Sequence, residues 1–248
     1  MSQTEYLYNT IETYAKERSL TNTLIALPLA KEWLGSILRR SFTSDKNRAT
    51  SLMHCLEATI QLMDLRIAIS KEEYDILLAA MLCHDMLENV AFEANGDELV
   101  DVHHLDPKVL HIVRLMTRPV ITNDESYQKY YDGIKKDKLA VLVALSDRGN
   151  LVEQIAGLSI AEATAFVQEM RAYFLPMCVY AKEYYRDIQM TVNVMMEKIR
   201  CLIDVTDIIS SRYMKRDGAY RNEILALMEE NARMRGMIGQ LKAGEEII

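Results

Sequence analysis

The sequence has no long apolar run, few turn-forming residues and few cysteines. No segment reaches about 18 uncharged apolar residues in a row, so no membrane-spanning helix is expected. Glycine (9) and proline (4) are scarce among the 248 residues, since their usual combined share is roughly 12%. The 4 cysteines, and the lack of a charged-then-apolar leader, predict reduced thiols in a cytoplasmic protein. A β-rich chain would need more turn formers, so the composition favours helix.

Positive charge is also in short supply. The 29 lysines and arginines are outnumbered by 36 acidic residues, which gives a net charge of −7 and a pI near 5.4. Because affinity for a nucleic-acid backbone comes largely from basic side chains that neutralise phosphates, no nucleic-acid binding is expected. A small anionic substrate is compatible with this composition if positive charge is gathered locally.

Helix starts are the clearest local signals. Residues 70–73 and 159–162 have the serine-to-glutamate spacing of a capping box, and Asp106 before Pro107 is a third start. The run 139–145 is short enough to be a buried strand, but the helices around it favour helix. The sequence therefore predicts one all-α domain over residues 1–213 and a C-terminal helix within 214–248. The predicted helices lie near residues 4–18, 23–41, 48–67, 71–90, 107–117, 125–136, 138–150, 160–184, 188–213 and 219–242.

The C-terminal helix has the spacing of a coiled-coil seam. Its apolar positions, with one asparagine among them, step alternately by three and four: Ile224, Leu227, Asn231, Met234, Ile238 and Leu241. A polar residue such as Asn231 at a seam position sets register and pairing. The helix either packs on its own domain or pairs with a second copy to form a homodimer, and both interpretations stay open.

Polar residues interrupt three otherwise apolar segments. These are His54, the adjacent His84 and Asp85, and Asp147. Burying them unpaired would be costly, and a shared metal ion would remove that cost. Glu88 lies one helical turn after His84, where it could address a water held by the metal. The alternatives are that the histidines are hydrogen-bonded core residues and that Asp147 caps a helix or pairs with its neighbour.

These residues resemble a known family. The order and approximate spacing H…HD…D are similar to the HD superfamily of metal-dependent phosphohydrolases, and most of all to the hydrolase domain of the RelA/SpoT alarmone enzymes and their single-domain relatives. Residues 79–89 resemble the A-A-L-L-H-D-V-V-E-D helix of that domain with one extra residue, and residues 144–151 resemble its K-L-A-D-R-x-x-N segment. Residues 115–130 and 173–177 are similar to its L-T-(K/R)…E-S-Y-x-x-Y and Y-x-P-L segments. The resemblance covers roughly residues 30–190.

The resemblance implies an HD-domain helical bundle with a divalent metal, usually manganese. Glu88 matches the acidic residue that positions or deprotonates the attacking water, and Asn89 stands where the family has a second acidic residue. An asparagine can hydrogen-bond a water but does not take its proton at neutral pH. The metal ligands implied by the resemblance are His54, His84, Asp85 and Asp147.

Substrate contacts are expected from basic side chains and one amide. The candidates are Lys46, Arg48, Arg118, Arg148 and Asn150. Lys46 matches a basic position of the family, whereas Arg48, Thr50–Ser51 and Cys55 replace a glycine, a Pro-Tyr pair and a proline that shape its guanosine pocket.

The resemblance therefore predicts a 3′-pyrophosphohydrolase of guanosine 3′,5′-bis(diphosphate), with a small-molecule nucleotide as its substrate. The altered residues 46–55 motivate one alternative, a phosphohydrolase that acts on another nucleotide or phosphoester. Asn89 motivates a second, a non-catalytic nucleotide-binding or assembly protein.

Overall fold

The computed structural model separates the chain into two units, Met1–Asp204 and Val205–Ile248. It describes residues 1–37, 50–65, 67–89, 104–120, 123–153 and 159–209, with 211–212, 215–216 and 218. Lys46, Arg48 and the predicted helix 219–242 with its coiled-coil seam lie outside the described residues, as do the side chains of Asn89 and Glu153.

The prediction of an all-α protein is confirmed. No described residue lies in a β-strand, although Thr50 forms an isolated bridge. No described helix combines the length and apolar character needed to cross a membrane. The helices are α1 (Gln3–Arg18), α2 (Thr21–Leu34), α3 (Ser51–Met63), α4 (Lys71–Cys83), α5 (Met86–Asn89), α6 (Pro107–Met116), α7 (Asp124–Ile134), α8 (Lys138–Glu153), α9 (Ile160–Glu169), α10 (Leu175–Tyr184) and α11 (189–209).

Helices α4 and α8 form the centre of the first unit. Every residue from Asp75 to Cys83 is buried, and so is every residue from Leu139 to Asn150. A helix that is apolar on all sides is stable only when neighbours surround it, and α4 packs against α2, α3, α6 and α8. The segment 139–145 is helical, as predicted. His84 and Asp85, which follow α4, and the polar residues late in α8 are consequently buried.

The start of α2 is capped by a side chain from another helix. Its own N-cap residue, Leu20, offers no side-chain acceptor. The Asp75 carboxylate of α4 instead accepts the backbone N–H groups of Asn22 and Thr23, each at 2.8 Å. It also accepts the Thr23 hydroxyl at 2.7 Å and the Asn22 amide at 3.2 Å. Asp75 thus performs the role of an N-cap residue and ties α2 to α4.

The predicted helix 71–90 is interrupted after Cys83. His84 Nδ1 donates to the Met81 carbonyl oxygen at 2.7 Å. In a continuous α-helix that carbonyl would accept the N–H of Asp85, so the imidazole competes with the helix backbone. The chain turns at His84–Asp85 and resumes as the short helix α5.

The predicted helix 160–184 contains a wider turn. Residues Met170–Phe174 form a π-helical turn, in which the Leu175 N–H donates to the Met170 carbonyl. Pro176 has no N–H to donate and would crowd the carbonyl four residues before it in a regular helix. The wider turn accommodates this proline between α9 and α10.

Candidate metal centre

Three helical segments bring the four predicted metal ligands into one buried cluster. His54 lies in α3, His84 and Asp85 follow α4, and Asp147 lies in α8. His54 Nε2 and His84 Nε2 lie 3.0 Å and 3.7 Å from the same atom, Asp147 Oδ1. Asp85 Oδ1 lies 3.2 Å from His84 Nε2. All four residues are buried, so their polar atoms face one another rather than bulk water.

A hydrogen bond to its other ring nitrogen orients His54. Its Nδ1 lies 2.6 Å from Asn150 Oδ1, and Asn150 Nδ2 donates to Glu57 Oε2 at 3.4 Å. Because a carboxylate only accepts, the amide nitrogen of Asn150 faces Glu57 and the amide oxygen faces His54. His54 Nδ1 is therefore the donor. In a neutral imidazole this leaves a lone pair on Nε2, beside Asp147.

His84 has the same arrangement. Its Nδ1 donates to the Met81 carbonyl, so the lone pair of a neutral ring lies on Nε2, beside Asp85 and Asp147. Within the described part of the chain, His84 Nε2 is the buried side-chain atom without a hydrogen-bond partner. Buried polar atoms in proteins rarely lack a partner, and this one is directed toward two carboxylates.

A cation reconciles these contacts. Imidazole lone pairs repel nearby carboxylate oxygens unless a positive charge lies among them. His54, His84 and Asp147 offer ligand atoms within 4.8 Å of one another and could hold a divalent metal. Mixed imidazole and carboxylate ligands suit first-row transition metals. Three of the four predicted ligands therefore fit one shared metal site, and Asp85 contacts this group through His84.

A second group of potential ligands includes a thiol. Cys55, His84 and Asp85 also have ligand atoms within 4.8 Å of one another. However, Cys55 Sγ lies 3.7 Å from His84 Nδ1, the nitrogen that already donates to Met81. Cys55 is thus nearest the nitrogen that carries the proton rather than the one that carries the lone pair. The set that contains Asp147 is chemically the better one.

The electrostatics of the cluster favour bound positive charge. Burial alone would lower the pKa of His84, but the Asp85 carboxylate and the contacts with Cys55 and Asp147 raise it well above its ordinary value. Burial alone would raise the pKa of Asp147, but the Arg148 guanidinium, and the two histidines when protons occupy their Nε2 atoms, hold it well below its ordinary value. The same negative field that favours a proton on His84 favours a metal cation.

The cluster forms one side of a cavity of about 330 Å³, near the lower end of the usual range for small-molecule sites. Glu88 lies beside it and accepts the Arg118 backbone N–H at 2.7 Å through Oε1. Loss of solvent around the carboxyl group, followed by the Asp85 charge, raises the pKa of Glu88. The cavity is also lined by Met116, Tyr127 and Phe166 and by the two arginines Arg118 and Arg148.

No protein-family model matches the chain, and a search of curated proteins found no match either.

The described residues predicted to contact substrate lie in two places. Arg118 and Arg148 line the cavity. Asn150 instead lies against His54 and Glu57, where it orients the His54 imidazole.

Sequence reasoning missed Glu169, which lines the cavity and accepts an Arg118 guanidinium hydrogen bond at 2.8 Å. The signal was an acidic residue next to Phe166 and Val167 on the buried face of α9 and directly before the buried Met170.

Replacing Asn150 with alanine tests its role in orienting His54. Groups that orient a metal ligand contribute roughly 10- to 100-fold to metal affinity, so Asn150→Ala is expected to weaken manganese binding by that factor. Equilibrium dialysis with metal analysis measures the change. Glu57→Gln is the matched control, because a glutamine oxygen still accepts from Asn150 Nδ2. Equal manganese affinity in Asn150→Ala and wild type would show that Asn150 does not orient His54 for metal binding.

Proposed function

We propose that this chain is a metal-dependent phosphohydrolase that removes a phosphate or diphosphate group from a nucleotide. Guanosine 3′,5′-bis(diphosphate), cleaved to GDP and pyrophosphate, is the substrate that the sequence resemblance favours. The observation that carries the proposal is the convergence of His54, His84, Asp85 and Asp147, with an unpartnered imidazole nitrogen, beside a cavity that also contains two arginines.

The charge of the cavity supports a role for the metal in substrate binding. Among its described lining residues, five carry carboxylates and two carry guanidinium groups. An anionic nucleotide would therefore meet net negative charge in the protein alone. A bound divalent ion would add two positive charges, polarise a phosphoryl oxygen and make a water more acidic.

The protein residues divide the remaining work. The four cluster residues would hold the metal, and Glu88 accepts the proton of the attacking water. A carboxylate with a raised pKa is a stronger base, which suits Glu88 to this role. Arg118 and Arg148 would neutralise charge on the phosphate groups. The apolar and aromatic side chains of Met116, Tyr127 and Phe166 offer a surface for the base.

Hydrolysis by metal-reconstituted protein tests the proposal. Purified protein is loaded with manganese and supplied with guanosine 3′,5′-bis(diphosphate), and GDP and pyrophosphate are followed. We expect both products with wild type and with Cys55→Ala, and neither with His84→Ala. A panel of other nucleotides and phosphoesters covers the remaining substrates. If metal-loaded wild type binds nucleotides but hydrolyses none of them, the enzyme proposal is lost and a binding or assembly role replaces it.

Glu88→Gln separates proton transfer from metal binding. The glutamine oxygen still accepts the Arg118 N–H, but the side chain no longer takes a proton. We expect kcat to fall by about 10²- to 10⁴-fold, while manganese content stays at the wild-type value. Steady-state kinetics and metal analysis of the same preparation measure both quantities. A kcat within a few-fold of wild type would show that Glu88 is not the base.

A further inference from the structure

Two guanidinium groups and one hydroxyl group converge on one carboxylate oxygen of Glu169. Arg118 Nη2 donates to Glu169 Oε1 at 2.8 Å, and the Tyr131 hydroxyl donates to the same atom at 2.6 Å. Arg148 Nη2 lies 3.8 Å from it. The Glu169 side chain is 9% exposed and that of Arg148 is 4% exposed, so this contact set is largely removed from water.

The arrangement is typical of an anion site. Two guanidinium groups and a hydroxyl that converge on one anionic oxygen would satisfy a phosphoryl oxygen equally well. Of the described carboxylates that line the cavity, Glu169 is the one that forms ion pairs with both arginines, and Arg148 Nε also lies 3.7 Å from Asp147 Oδ2. The Arg118 side chain is 34% exposed, so its guanidinium is accessible to a ligand in the cavity.

We propose that Glu169 is an internal counter-ion that occupies a phosphate subsite until the substrate arrives. A phosphate group of the substrate then replaces the Glu169 carboxylate on Arg118, Arg148 and the Tyr131 hydroxyl. The identity of this anion as part of a substrate rests on the proposed phosphohydrolase function. The anion subsite itself does not depend on hydrolysis or on a metal.

Arg118 connects this subsite to the proposed base. Its backbone N–H holds Glu88 Oε1, and its guanidinium holds Glu169 Oε1. An anion that displaces the Glu169 carboxylate from the Arg118 guanidinium therefore binds to the residue that also positions Glu88. The phosphate subsite and the water-activating group are joined through a single side chain and its own peptide unit.

Sulfate titration by calorimetry tests the subsite without metal or turnover. Sulfate is a stable dianion that the proposed activity would not hydrolyse, and EDTA in the buffer keeps the cluster free of metal. Glu169→Gln retains an oxygen acceptor for Arg118 and Tyr131 but removes the competing charge. We expect it to bind sulfate about tenfold more tightly than wild type, or better. Glu72→Gln, which removes an exposed carboxylate that does not line this cavity, is expected to bind like wild type.

Arg118→Gln is the second variant, and thermal unfolding shows which variants are folded. Because the Arg118 side chain is partly exposed, we expect this variant to fold and to lose sulfate binding. The proposal is overturned if Glu169→Gln binds sulfate no more tightly than wild type, or if neither wild type nor Glu169→Gln binds sulfate. It is also overturned if Arg118→Gln binds sulfate with the affinity of wild type. If Glu169→Gln does not fold, the comparison of Arg118→Gln with wild type decides. Failure to hydrolyse nucleotides would leave these titrations unaffected.

Discussion

Replacing Asp147 with asparagine is expected to lower manganese affinity by more than about 100-fold, the upper end for groups that merely orient a ligand. Asp147 Oδ1 lies within reach of both His54 Nε2 and His84 Nε2. Asparagine keeps the shape of the side chain but removes the negative charge that would lie beside both imidazoles and a bound metal. Under the proposed function, phosphohydrolase activity falls to background in the same variant.

The measurement is metal content after equilibrium dialysis, with Asp204→Asn as the control. Asp204 is an exposed carboxylate paired with Arg171, so its variant is expected to bind manganese like wild type. Thermal unfolding of the metal-free proteins shows whether Asp147→Asn is folded. If folded Asp147→Asn binds manganese as tightly as wild type, the cluster of His54, His84 and Asp147 is not the metal centre.

Replacing Asp75 with alanine is expected to lower the free energy of unfolding by about 3 kcal/mol. Hydrogen bonds to a charged group contribute roughly 1.5–3 kcal/mol each, and the contributions of several bonds to one carboxylate do not add fully. The variant leaves the N–H groups of Asn22 and Thr23, at the start of α2, without the acceptor that α4 supplies. It also removes the acceptor for the buried Thr23 hydroxyl. For a chain of this length the midpoint of thermal unfolding should fall by about 6–12 °C.

Urea and thermal unfolding of metal-free protein measure this loss. Glu72→Ala is the matched control, because it removes an exposed carboxylate from the first turn of the same helix. Its cost is expected to stay below about 1 kcal/mol, the size of a helix-dipole effect. Asp75→Asn, which keeps one acceptor oxygen, should lie between the two. Equal stability of Asp75→Ala and Glu72→Ala would show that the cap across helices contributes little.

Much of the fold could be predicted because its signals are local. The capping boxes at Ser70 and Ser159 mark the observed starts of α4 and α9, and Pro107 marks the start of α6. These signals depend on residues three or four apart in the chain, which any window of the sequence contains. The predicted end of helix 71–90 is wrong. The helix ends at Cys83, because the His84 imidazole donates to the Met81 carbonyl oxygen that a continuous helix would use.

The candidate ligands could also be found without coordinates, because His54, His84, Asp85 and Asp147 are polar interruptions of apolar segments. Their order predicts a metal site, but the distances between them do not follow from that order. The tautomers of the two histidines depend on Asn150 and on the Met81 carbonyl.

By itself, the sequence determined that the protein is helical, where most described helices begin and which polar residues must be buried, because periodicity and capping act over a few neighbouring residues. Only the tertiary structure decided which polar groups meet. Asp75 caps a helix about 50 residues before it, and Asn150 orients a histidine 96 residues away. Glu169 accepts a hydrogen bond from Arg118, which lies 51 residues earlier in the sequence. Such partners are chosen when helices pack, since burial makes each polar group find an acceptor or donor wherever the chain supplies one.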